Sequence, residues 1–186
     1  MRQGYVGVTP DRLAFEVLPG LPPYGPAAEA FSASGLGTHR EGLVVRFHPP
    51  RADAWVGNFQ PGLTSFSAVD LHPDGRRVIV ISGGQGYLVD PADRKRTEFL
   101  GSWYVCAHRR SDLLVLQTPI DFECIGPEGR RWRTRRLSWD GFRNVELQAG
   151  AREITGDAWS PITDEWIPFT VDLNSGSVQG GSYTGP

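Results

Sequence analysis

Three short aliphatic runs recur along the chain at a constant interval. They begin at Leu43, Val78 and Leu113, so each starts 35 residues after the one before it. Runs of this kind, rich in valine, isoleucine and leucine and bounded by turn residues, are typical of strands buried on both faces. The constant interval indicates that one supersecondary unit is used repeatedly.

Further strands are predicted around each aliphatic run. A second strand-like segment follows each run and is closed by a proline; these segments begin at Trp55, Tyr87 and Phe122. An alternating segment precedes the second and third runs, at 65–69 and 103–107. A more polar segment ends each of these two units, at 96–100 and 131–137. Charge on such an outer strand protects a sheet edge against pairing with another chain. Each unit therefore has four predicted strands.

A degraded fourth unit completes the pattern near the end of the chain. Its four strands are predicted at 142–147, 152–155, 166–171 and 177–182, and two segments at 5–8 and 13–18 are predicted to complete a blade. One short helix is expected near 27–34, because Pro26 suits a helix start and Gly35 lies beyond its end.

Four antiparallel strands per unit and a spacing of 35 residues are typical of propeller blades. The predicted fold class is therefore all-β, with three to four four-stranded blades in a small propeller-like array and an open β-sandwich as the alternative. The 186 residues are expected to form a single domain, 1–186, since a domain has about 150 residues on average.

One unit resembles a known family. The segment from Val69 through the turn Pro73-Asp74-Gly75 to Val78 is similar to the TolB-type repeat of β-propellers, and the resemblance extends to about Leu100. The other units lack this turn. The resemblance implies blade geometry and carries no active site with it.

Composition limits the function classes. A net charge of -2, 39% hydrophobic and 22% charged residues are expected of a soluble globular protein. The start of the chain has no apolar run of a signal peptide and no segment is long enough to span a membrane, so a cytoplasmic location is expected. Lys95 is the only lysine beside many arginines, which is typical of a bacterial GC-rich genome.

Common catalytic and cofactor motifs are missing from the sequence, so no catalytic residue, metal or cofactor is predicted. Cys106 and Cys124 are placed on the first and third strands of one unit, too far apart for a disulfide, and are expected to be free thiols. The four histidines are interpreted mainly as turn or surface residues. The glycines of 82–86 are interpreted as a hairpin turn, with an anion-binding nest as the alternative.

The run 130–136 holds five arginines around Trp132. Guanidinium groups and an indole suit a phosphate backbone and an unstacked base, or an acidic protein surface. Alternation places Arg131, Arg133 and Arg135 on one face of a strand, as on a solvated edge. The candidate binding residues of this run are Arg131, Trp132, Arg133 and Arg135. A net charge of -2 argues against a nucleic-acid protein.

A second candidate site is an acidic, aromatic loop. Trp159 and Trp166 lie on either side of a turn, near Asp157 and Asp164. Such a loop suits a sugar or a basic partner. The alternative is a hairpin whose paired indoles have only a structural role.

These features favour a non-enzymatic interaction module with a protein partner, of the kind of an inhibitor or the antidote of a toxin. Two alternatives remain at this point. One is a small hydrolase or lyase with carboxylates and histidines, such as Asp157 and His72, gathered at the blade axis. The other is oligonucleotide binding through the arginine strand.

Overall fold

The computed structural model describes residues 14–35, 39–147, 150 and 152–185. These residues form sixteen strands in four four-stranded sheets, and their only helical element is a 3-10 turn at Arg94–Arg96. The predicted all-β class is confirmed. The chain divides into two compact units, residues 1–103 and 104–186, with two sheets in each. Within the described residues, no helix is long and apolar enough to cross a membrane.

Sheet 1, in the first unit, has a crossover. Its strands are β1 (Ala14–Leu18), β2 (Glu29–Phe31), β3 (Leu43–His48) and β4 (Trp55–Phe59). Their order in the sheet is β1-β3-β4-β2, and β2 runs parallel to β4 while the other pairs are antiparallel. The prediction of antiparallel blades is therefore wrong for this one pair. The predicted strand at 5–8 lies outside the described residues.

The prediction of a short helix near 27–34 is wrong, because strand β2 occupies this segment. The ring of Phe31 stacks on that of Phe59 with centroids 5.0 Å apart, and it meets Trp55 edge-on at 6.0 Å. Pairing with β4 and contact with these two rings outweigh the weak local preference for a helix start at Pro26.

Sheet 2, also in the first unit, is a simple meander in which each strand pairs with the next. It contains β5 (Ala68–Leu71), β6 (Val78–Ser82), β7 (Gln85–Val89) and β8 (Glu98–Gly101). Strands β6 and β7 are joined by Gly83 and Gly84, which both have positive φ, at 53° and 81°. This is the backbone of a two-residue hairpin turn, which glycine adopts without strain.

The core of the first unit lies between its two sheets. Val45 and Phe47 of β3 belong to one buried cluster with Val78 and Val80 of β6 and with Tyr87 of β7. A hydrogen bond crosses the same interface, from the indole N–H of Trp55 to the carbonyl oxygen of Pro91 at 2.9 Å. The two sheets are thus joined by apolar contact and by a satisfied polar group.

Asp74 fixes the turn between β5 and β6. Its carboxylate accepts hydrogen bonds from the backbone N–H groups of Arg76 and Arg77 at 2.8 and 3.0 Å and from Nε of Arg77 at 2.6 Å. Gly75 has a φ of 71°, as the predicted turn chemistry requires. Burial by itself raises the pKa of the Asp74 carboxyl. The hydrogen bonds from Arg77 and Arg76 outweigh this effect and hold the pKa well below its usual range.

The second unit repeats the meander twice. Sheet 3 contains β9 (Cys106–Arg110), β10 (Leu113–Gln117), β11 (Phe122–Gly126) and β12 (Gly129–Arg133). Sheet 4 contains β13 (Phe142–Glu146), β14 (Glu153–Ser160), β15 (Glu165–Asp172) and β16 (Val178–Gly180). A shared core between these sheets includes Phe122 and Cys124 of β11, Ala158 of β14, and Phe169 and Val171 of β15.

The three aliphatic runs are inner strands of three different sheets, as predicted, and the fourth unit is confirmed strand by strand. The predicted arrangement of the sheets as a propeller-like array stays a prediction.

Outer strands of three sheets carry a register shift. The shifts lie in the β7–β8, β11–β12 and β13–β14 ladders. The pairing register skips Leu100 in the first ladder, Arg131 in the second, and Asn144 and Val145 in the third. Such β-bulges bend a sheet edge and, with charged side chains, protect it from pairing with another chain. The charged outer strands that the sequence predicts are therefore reinforced by backbone geometry.

Candidate functional site

The arginine strand alternates between exposed and buried side chains as predicted. Arg131, Arg133 and Arg135 are exposed, whereas Trp132 and Thr134 are buried. The indole N–H of Trp132 donates to the carbonyl oxygen of Leu173 at 2.9 Å, and its ring belongs to the core of the second unit. With 8% of its surface exposed, Trp132 is a core residue rather than a surface on which a base could stack.

Two of the arginines bind carboxylates on the face of sheet 3 opposite that core. Arg130 donates to Glu123 at 2.7 Å, and Arg133 donates to Asp121 at 3.0 Å. Tyr104 also donates to Glu123, at 3.3 Å, and burial together with this carboxylate raises the pKa of the Tyr104 hydroxyl. The side chain of Glu123 is only 1% exposed, so these pairs neutralise buried charge.

Arg135 and Arg136 hold the C-terminal segment in place. Arg135 donates to the carbonyl oxygens of Tyr183 and Gly180 at 2.8 and 2.9 Å. Arg136 donates to Ser138 and Trp139 carbonyl oxygens, and its guanidinium carbon lies 4.6 Å from the centroid of the Tyr183 ring. Four of the five arginines in 130–136 thus have acceptors within the second unit.

Trp159 and Trp166 form a cross-strand pair. They are directly opposite each other on β14 and β15, and their ring centroids are 5.2 Å apart. Alternation along these strands places both rings on the face of sheet 4 opposite the buried Ala158 and Phe169. Both indoles are partly exposed, and the sequence interpretation of two tryptophans across a turn is confirmed.

Two residues that the sequence interpretation did not identify complete this face. The guanidinium of Arg143 lies 4.6 Å from the centroid of a Trp166 ring, and its Nε is 3.2 Å from Oδ2 of Asp157. The amide of Asn144 donates to the same carboxylate oxygen at 2.9 Å. Aromatic, carboxylate and guanidinium groups are therefore assembled by three neighbouring strands.

The hairpin between β14 and β15 extends this face. Ile162 at its tip is 74% exposed. Asp164 has a φ of 56°, which aspartate tolerates better than most residues, and it is exposed beside Glu165. Glu165 is opposite the buried Ser160, so alternation places it on the other face of sheet 4. We call the set formed by Arg143, Asn144, Asp157, Trp159, Ile162, Asp164 and Trp166 the tryptophan face.

Cysteines and histidines contribute no comparable cluster. Cys106 and Cys124 are free thiols as predicted, and burial raises the pKa of Cys124 to about 11. His72 lies in a turn as predicted but is 1% exposed, which corrects its interpretation as a possible surface residue; its Nδ1 accepts from the backbone N–H of Asp74 at 3.1 Å. Within the described residues, no three His, Cys, Asp or Glu side chains are grouped as metal ligands.

The hairpin at 82–86 offers little to an anion. The N–H of Gly83 donates to the hydroxyl of Ser67 at 2.9 Å, and that of Gly84 donates to the carbonyl oxygen of Phe66 at 2.7 Å. Both N–H groups are thus used within the first unit, which favours the predicted hairpin turn over an anion-binding nest.

No protein-family model matches the chain, and a search of curated proteins finds no match. The geometry of the tryptophan face is therefore the basis for assigning a function.

Proposed function

We propose that this protein is a non-enzymatic interaction module that binds a basic segment of a partner protein through the tryptophan face. The observation that carries the proposal is the Trp159–Trp166 pair, which is partly exposed, with Ile162 exposed in the turn that joins their two strands. Tryptophan is enriched among the residues that dominate binding energy at protein interfaces. A rigid pair of β-strands presents these rings at low entropic cost.

Charge favours a basic partner. The tryptophan face holds two carboxylates, those of Asp157 and Asp164, against one guanidinium, that of Arg143. Complementary charge increases the association rate and suppresses wrong partners. The partner segment is therefore expected to combine lysine or arginine with an apolar residue that contacts the indoles and Ile162.

The same geometry weakens the alternatives. An acidic partner or an oligonucleotide would need the guanidinium groups of 130–136, and four of these five already donate to acceptors in the second unit. Arg131 remains the exposed exception. The hydrolase alternative depends on Asp157, and both Arg143 and Asn144 donate to this carboxylate.

Affinity capture with matched variants tests the proposal. The wild-type chain, a Trp159→Ala/Trp166→Ala variant and a Trp103→Ala control would each be used as bait in a cell lysate. Trp103 is a suitable control because it is 53% exposed and lies in the other unit. Proteins retained by the wild type and the control but lost with the double variant support the proposal, provided that they also dissociate as salt is raised.

A second variant guards against loss of folding. Asp164→Asn removes one exposed carboxylate of the tryptophan face, and asparagine tolerates the positive φ at this position. It is expected to keep the unfolding midpoint of the wild type and to weaken capture. Equal capture by the wild type and by both test variants would overturn the proposal.

A further inference from the structure

Arg143 is bound in a site that has the chemistry of a guanidinium receptor. Its guanidinium carbon lies 4.6 Å from the centroid of Trp166, and its Nε lies 3.2 Å from Oδ2 of Asp157. Asn144 donates to the same oxygen and helps to orient the carboxylate. An aromatic ring face and a carboxylate that a single guanidinium can contact together are the two groups that recognise arginine at protein interfaces.

We infer that Arg143 is an internal occupant of this site and that an arginine side chain of the partner displaces it on binding. This inference rests on the proposed function and names the chemistry that the tryptophan face recognises. Arg143 then acts as a self-inhibitory group, which holds Trp166 and Asp157 in position and excludes weaker ligands until a partner arrives.

The position of Arg143 suits this role. It lies on the outer strand β13, directly before the bulge at which Asn144 has a φ of 52°, and its side chain is 51% exposed. An exposed ion pair contributes little to stability, so the side chain can leave without unfolding the sheet. The ladder on the other side of the bulge resumes at Glu146 and Thr155 and fixes the strand independently of this contact.

A second arginine in the protein provides the contrast. Arg94 bonds Glu29 at 2.6 Å and its guanidinium carbon lies 5.4 Å from the centroid of Trp55. Trp55, however, is only 4% exposed, and its indole N–H is bonded to Pro91. Trp55 is thus a core residue of the first unit, whereas Trp166 is partly exposed even with Arg143 over its ring.

The preferred ligand is arginine rather than lysine. A planar guanidinium stacks on an indole while its N–H groups bond to a carboxylate in the same plane, whereas a compact ammonium satisfies one of these contacts at a time. The orientation of Arg143, with Nε towards Asp157 and its carbon over Trp166, is this combined geometry.

A titration of the full chain with N-acetyl-arginine amide tests the inference. Binding would be followed through the indole N–H signals of Trp159 and Trp166 in two-dimensional NMR. The Arg143→Ala variant is expected to bind the probe about ten-fold more tightly than the wild type, because the site is vacated. Arg94→Ala is the matched control and is expected to behave as the wild type.

Two further titrations complete the test. The double variant Arg143→Ala/Asp157→Asn should lose the increase in affinity for the arginine probe, while its NMR spectrum stays as dispersed as that of a folded protein. N-acetyl-lysine amide should bind Arg143→Ala several-fold more weakly than the arginine probe does. No gain in Arg143→Ala, or equal binding of the two probes, overturns the inference. If this happens while capture still depends on Trp159 and Trp166, the proposed function survives; if the probe binds but capture is independent of these tryptophans, the guanidinium site stands and the proposed function fails.

Discussion

The indole N–H of Trp132 donates to the carbonyl oxygen of Leu173 across the two sheets of the second unit, at 2.9 Å. The first unit contains the equivalent bond, from Trp55 to Pro91, also at 2.9 Å. In both units the tryptophan lies on the earlier sheet and the carbonyl follows the third strand of the later one. The two units therefore join their sheets by the same contact.

Replacing Trp132 by phenylalanine is expected to lower the free energy of unfolding by about 1–3 kcal/mol, because the buried carbonyl of Leu173 loses its donor and the smaller ring leaves space. Trp55→Phe is expected to cost a similar amount. Urea unfolding followed by circular dichroism measures both.

Trp103→Phe is the control for this pair. Trp103 is 53% exposed, so its replacement is expected to change the free energy of unfolding by less than about 0.5 kcal/mol. If all three variants had equal stability, the indole hydrogen bonds would have no role in joining the sheets.

Asp74 should make stability depend on pH. Its pKa in the folded protein is held below the unfolded value of about 3.9, so its contribution is present above that pH and is lost as pH falls through the folded value. Asp74→Asn is therefore expected to be less stable than the wild type by about 1–2 kcal/mol at pH 7. Thermal unfolding at pH 7, 5, 4 and 3 should show this difference shrink below about pH 4; a constant difference would contradict the assignment.

The Glu123–Arg130 pair should contribute more to the free energy of unfolding than an ion pair at the surface. Glu123→Gln removes the charge that Arg130 faces at a buried position and is expected to destabilise the protein by about 2–3 kcal/mol. The matched control is Glu16→Gln, since the Arg46–Glu16 pair at 3.3 Å is exposed and should contribute less than about 0.5 kcal/mol. Chemical denaturation of the two variants compares them directly, and an equal loss would show that burial of Glu123 is not the cause.

The two thiols should differ in reactivity. Cys124 is buried and its pKa is raised to about 11, so little thiolate is present near neutral pH. An alkylating reagent at pH 8 is expected to modify Cys106 alone in the folded protein and both cysteines in denaturant. Peptide mass spectrometry identifies the modified residue, and Cys106→Ser should abolish labelling of the folded chain.

Strands were predictable where local pattern and tertiary burial agree. The runs at Leu43, Val78 and Leu113 are inner strands because their continuous aliphatic character suits a strand covered on both faces. The strand at Glu29–Phe31 was not predictable, since its three residues gain their order from Phe59 and Trp55, which lie far along the chain.

The candidate site was predictable only in part. Trp159 and Trp166 flank a short turn, so their pairing follows from local alternation. Arg143 reaches the same face through a bulged ladder with β14 after a longer connection, and a bulge changes which residues are opposite each other. Arginines 130, 133 and 135 look alike in sequence, and only the fold shows that each has an acceptor.

The residues that the pairing register skips in β8, β12 and β13 affect how the protein behaves at high concentration. A neighbouring molecule that began to align with one of these strands would form a few regular hydrogen bonds and then meet Leu100, Arg131 or Asn144 out of phase. Fibril growth needs an uninterrupted row of backbone donors and acceptors. At these three margins the chain therefore resists amyloid-like assembly by means of its backbone, and charge-neutralising conditions alone do not remove that resistance.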